Sequence, residues 1–154
     1  MRNRKIYKVV VDSDLNLYQM IELGKYDYSF NVGFHDHWEG RLQQVGHVEA
    51  DLFLFKMKQT CSESEVRHRI DKEGLEPVKL EYLLAFGADY PDIQRKFTVV
   101  ALGSYRVDHY GTKAYPYLFS GGVKHHIRTL DLRNTHQYEQ WGSTWRFLVV
   151  RKAK

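Results

Sequence analysis

Residues 62–88 carry two helical signatures back to back, and the chain after them reads almost entirely as strand. "SESEVRHRIDKEGL" (62–75) opens with Ser62 and Glu65 at capping-box spacing and closes at Gly74, which predicts a helix showing Val66 and Ile70 to a core. In "VKLEYLLAFGADYP" the residues Leu80, Leu83 and Leu84 form an apolar stripe over 78–88, and Pro91 stops it. "DIQRKF" (92–97) adds one helical turn before the strand "FTVVALGS", which Gly103 interrupts. Helices grouped in this way favour an α+β fold over one that alternates helix and strand. The expectation is two or three short helices packed on a largely antiparallel sheet, with the C-terminal half mostly β.

The flanking segments fit that frame. "KIYKVVV" (5–11) is short and β-branched, a first strand. "NLYQMIELG" (16–24) reads as a short helix capped by Asn16, with Gln19 three residues on and Gly24 as its stop. "VEADLFLFKMK" (48–58) is a strand predicted to be buried on both faces at its centre. "AYPYLFSGGVKHHIRTLDLR" splits into two strands joined by Ser120, Gly121 and Gly122, which supply the positive φ angles of a tight hairpin. "STWRFLVVRK" alternates Trp145, Phe147 and Val149 against Arg146, Leu148 and Val150, a closing strand in which Trp145, like Tyr117 earlier, is expected to be buried.

A chain of 154 residues, 43% hydrophobic, is long enough for one ordinary core and short for two, so 1–154 is read as a single globular domain with frayed termini. No apolar run approaches the ~20 residues that span a bilayer, and "MRNRKIYKVVVDSD" lacks the cleavage pattern of an export signal. With one cysteine, Cys61, no internal disulfide can form. The expectation is a soluble, cytoplasmic protein without a membrane partner. Net charge of +4 leaves nucleic-acid binding open as an alternative, but the basic residues are scattered, and the terminal groups Arg2/Arg4/Lys5/Lys8 and Arg151/Lys152/Lys154 read as solvated tails.

Chemistry-bearing motifs are few. "GFHDHWEG" (33–40) sets His35, His37 and Glu39 at alternate positions, so an extended backbone would aim all three at one divalent transition metal. A solvated polar turn between Gly33 and Gly40 is the competing reading. The His-x-His pair is similar to the metal motif of cupins, yet Arg41 and Leu42 stand where a further glutamate would be needed. Cys61 precedes a predicted helix start, where a thiol can be activated, but no base is tied to it by any signature, and a packed thiol is the plainer reading. His125 and His126 are adjacent and would point to opposite faces of a strand. There is no G-x-S-x-G elbow, P-loop, dinucleotide fingerprint or pair of cysteine knuckles, and nothing in the sequence requires a cofactor.

The loops are richer. Residues 105–114 and 133–143 hold Tyr105, His109, Tyr110, Asn134, His136, Tyr138 and Trp141, residue types that give contact area at low entropic cost. They are the candidate binding residues for a protein or other macromolecule.

"PVKLEYLLAFGADYPDIQRKFTVVALGS" (77–104), "LYQMIELGKYDY" and the closing "RFLVVRK" together resemble a group of short uncharacterised bacterial proteins, over about half of the chain. That group has no assigned activity, so the resemblance implies relatedness without a function. The closing "WRFLVVRK" also looks somewhat like the last strand of C-type-lectin-like domains, although the disulfide cysteines and calcium motifs of lectins are missing. The functional expectation is a non-enzymatic binding module acting through aromatic-rich loops. A metal-dependent enzyme using His35, His37 and Glu39 is the alternative.

Overall fold

The computed structural model describes residues 4–29, 37–107, 110–135 and 140–153. In chain order the elements are β1 (Tyr7–Asp12), α1 (Leu17–Gly24), β2 (Tyr28–Ser29), β3 (His47–Lys56), α2 (Glu63–Lys72), β4 (Leu75–Pro77), α3 (Leu80–Asp89), β5 (Thr98–Val100), β6 (Arg106–Val107), β7 (Lys113–Gly121), β8 (Ile127–Asn134) and β9 (Trp145–Arg151). Two 3₁₀ turns, Ile93–Arg95 and Val123–His125, complete them. The fold is α+β, with the strands in one mixed sheet ordered β1-β3-β9-β5-β7-β8-β2, β4 pairing with β9 and β6 with β7.

Most ladders are antiparallel, but β5 runs parallel to β9 and β2 parallel to β8. The last strand lies inside the sheet, between β3 and β5. β9 takes β3 along one side, and on the other it takes β5 at Trp145–Phe147 and β4 at Val149–Arg151. Between those two short partners the Val78 N–H donates to the Leu148 carbonyl at 3.1 Å, while Val78 O accepts from Gly103 N–H at 2.9 Å. A Cβ on Gly103 would come within 2.3 Å of that oxygen, so only glycine lets the strands approach there.

Each face of the sheet carries its own core. Tyr7, Val9 and Val11 of β1, Leu52 and Leu148 pack against Met20 and Ile21 of α1 and Leu80, Leu83, Leu84 and Phe86 of α3. On the opposite face Phe53, Phe55, Phe147 and Val149 meet Val66 and Ile70 of α2 together with Tyr115 and Trp141. The alternation along β3 and β9 follows from the strand period of two, and it explains why their centres are apolar at consecutive positions.

Both helix caps that the sequence predicts are present. Asn16 Oδ1 accepts from Gln19 N–H at 2.8 Å while Asn16 N–H donates to Gln19 Oε1 at 2.9 Å. Ser62 and Glu65 form the same reciprocal pair. α3 has no side-chain cap from its own N-cap residue, Lys79. Instead the buried Ser104 hydroxyl accepts from Leu80 N–H at 2.7 Å and donates to the Gly40 carbonyl at 2.7 Å, so a residue 24 positions away does the capping.

Three local expectations are corrected. The β7–β8 hairpin is paired through Gly121 and Ile127, so its connection is the longer 122–126, with positive φ at Gly122, Lys124 and His125. His125 and His126 therefore lie in that turn, exposed, and not on opposite faces of a strand. Tyr117 and Trp145 are half-buried, packed edge-on against each other at 5.2 Å.

Arg128 of β8 is buried and ties the helices to the sheet. It donates to the carbonyls of Gly24 at 2.6 Å and Gly87 at 2.8 Å, and to Gln94 Oε1 at 2.9 Å, with its guanidinium 4.8 Å from the Tyr26 ring. Carbonyls near helix C-termini lack intrahelical partners, and an arginine fork can satisfy several at once. Among the described residues no helix is long and apolar enough to cross a membrane.

Candidate functional site

His35 lies outside the described residues, so the three-ligand arrangement is seen only in its second half. His37 and Glu39 are exposed, and Trp38 between them is buried, the alternation of an extended backbone. Glu39 fixes that conformation by pairing with Tyr105, N–H to carbonyl at 2.8 Å and back at 3.1 Å. Among the described residues no group of three His, Cys, Asp or Glu side chains is arranged to hold a metal ion.

The loop residues divide. His109, His136 and Tyr138 lie outside the described residues. Tyr110 is 83% exposed, and Asn134 is exposed at the end of β8. Tyr105 is half-buried, its ring edge-on to Tyr115 at 6.1 Å with the Lys113 ammonium 4.5 Å above it. Trp141 is only 2% exposed. Its position in a loop suggested a surface ring, but its backbone pairs with Cys61, 3.0 and 2.8 Å, and this draws the indole into the core against Trp145 at 4.8 Å and Phe147 at 5.6 Å. The guanidinium of Arg133 stands 4.8 Å from both tryptophan rings. A continuous aromatic floor therefore runs from Tyr105 through Tyr115 and Trp141 to Trp145.

Above this floor β6, β7 and β8 end side by side, with Arg106 opposite Ala114 and Ala114 opposite Asn134. Tyr110 falls between β6 and β7 in the chain. On β7 Tyr115 donates to Glu63 Oε2 at 2.9 Å and accepts from Arg67 at 3.1 Å, while Arg67 also holds the Leu102 carbonyl at 2.9 Å. Burial, then the neighbouring Glu63 carboxylate, push the Tyr115 phenol up to about 12 against the opposing pull of Arg67. The group is a structural clamp between α2 and the sheet.

Cys61 is buried under the start of α2, and burial followed by the charge of Glu65 pushes its thiol up. A nucleophilic cysteine needs the opposite shift. Beside it lies a cavity of about 530 Å³ bordered by the end of β3, α2 and Arg4, which no motif in the sequence announces. Its lining comes from separate stretches around residues 4, 54–61 and 65–73, so no short pattern could reveal it.

Comparisons with protein-family models, with curated proteins and with solved structures each return no match.

Proposed function

We propose that the chain is a binding module that engages a protein partner through the loop end of β6, β7 and β8. The observation that carries this reading is Tyr110, a ring 83% exposed in the segment between β6 and β7. Recognition residues work best as exposed aromatic side chains on loops held by a rigid scaffold, because little entropy is lost when they are covered. Asn134 supplies an exposed polar group at the end of β8, and Lys113 over Tyr105 supplies a cation.

The test is affinity capture with wild type and with a Tyr110→Ala/Asn134→Ala variant, whose exposed positions leave the fold intact by circular dichroism. The reading expects a partner whose affinity drops at least about 30-fold in the variant, the size of an interface hot spot. A partner held equally well by both proteins would sink it.

A second reading, a metal-dependent enzyme, rests on the alternate spacing of His35, His37 and Glu39, of which His37 and Glu39 are exposed. It expects near one equivalent of a divalent transition metal in untagged protein, lost in a His37→Ala/Glu39→Ala variant, with the metal acting as Lewis acid or water activator.

A further inference from the structure

Arg69 of α2 sits at helical spacing from two carboxylates, Glu65 and Glu73, either of which could form an i,i+4 ion pair with it. Neither does. Glu65 turns back to Ser62, accepting from its N–H at 3.1 Å and its hydroxyl at 2.9 Å, and Glu73 pairs with Arg4. The hydrogen bonds from Ser62 hold the Glu65 carboxyl below its usual range, so it stays ionised in that role. Among the described residues Arg69 and Lys58 form no hydrogen bond or ion pair, and both border the cavity beside Cys61. Phe55, Met57 and Cys61, all buried, give that cavity an apolar floor. Its volume of about 530 Å³ falls inside the ~300–1,000 Å³ typical of small-molecule sites.

We propose that this cavity binds a small amphipathic anion, its carboxylate or phosphate head against Arg69 and Lys58 and its apolar body along Phe55, Met57 and Cys61. The guanidinium fork matches the two oxygens of either head, and the lysine adds a point charge. Burying a short hydrocarbon body on the floor supplies the remaining affinity. This site is separate from the loop end that carries Tyr110 and stands whether or not that surface binds a protein.

The test is a titration of the whole chain, followed by amide NMR shifts, with decanoate and decyl phosphate below their micelle concentrations and decyltrimethylammonium as the charge-inverted control. The expected result is saturable binding of at least one anion, with shifts centred on residues 55–61 and 65–73 and little response to the cation. The tighter of the two anions identifies the head group. An Arg69→Gln/Lys58→Gln variant, altered only at exposed positions and checked by thermal melting, should bind about tenfold more weakly. Equal binding of the cation, unchanged affinity in the variant, or shifts elsewhere would overturn the proposal. So would an oligonucleotide that reproduces the shifts while neither anion does, because the cations would then belong to a polyanion surface.

Discussion

Tyr115 shows how one side chain couples the interior to pH. Its hydroxyl is shared between Glu63 and Arg67, and its proton is held up to about 12, chiefly by burial. In the unfolded chain a tyrosine gives up that proton near ~10. Between these values the unfolded state binds fewer protons than the folded one, so stability must fall as pH rises. The contribution is fully present below about 10 and is lost on the way to about 12. Tyr7, Tyr82 and Tyr117 are raised in the same direction by burial and add to the slope. Urea unfolding at a series of alkaline pH values should therefore show a shallower decline for Tyr115→Phe than for wild type. Identical slopes would mean that the phenol is not protected as the geometry requires. The same neighbourhood accounts for the expectation that failed at Trp141. A tryptophan in a loop is read as exposed because the residues around it are polar, yet two backbone hydrogen bonds to Cys61 pull this one inward.

Among the elements, the two helices whose starts are legible in the sequence are those capped from within. Asn16 with Gln19 and Ser62 with Glu65 lie three residues apart, a distance that a pattern can register. α3 starts on a hydroxyl donated by the chain 24 residues later, and β4 is three residues long between two helices, so neither feature leaves a local trace. The five-residue β7–β8 turn escaped for a related reason, since Gly121 reads as a turn residue but is held in the ladder opposite Ile127. The cavity lined by Arg69 and Lys58 draws on three stretches of chain and was equally illegible. Ser104 offers a direct comparison of local and remote caps. Removing a helix cap costs ~1 kcal/mol, and leaving a buried partner unsatisfied adds ~1–3 kcal/mol. Ser62→Ala should then cost about 1 kcal/mol and Ser104→Ala about 2–4 kcal/mol, because the latter strands the N–H of the fully buried Leu80. Chemical denaturation of the two variants checks this, and equal losses would show that the remote hydroxyl is only a local cap.

At the level of the whole molecule, one strand joins everything. β9 pairs with β3, β4 and β5, its Leu148 belongs to the α1/α3 core, and its Phe147 and Val149 belong to the α2 core. Leu148→Ala should cost ~2–5 kcal/mol, the range for truncating a buried leucine, measured by the same unfolding experiment. A chain cut before Trp145 should give no cooperative transition. Those pairings span long sequence separations, from Phe53 to Val149 in one ladder and Val100 to Phe147 in another, so closure waits for distant parts of the chain to meet. On the ribosome the delay has a direction. Until Trp145–Arg151 has been synthesised, the hydrophobic strands β3 and β5 are already made but have no common neighbour, and their open edges are the surfaces on which nascent chains stick to one another. That interval, before the strand that joins them arrives, is when the nascent chain is most exposed to sticking.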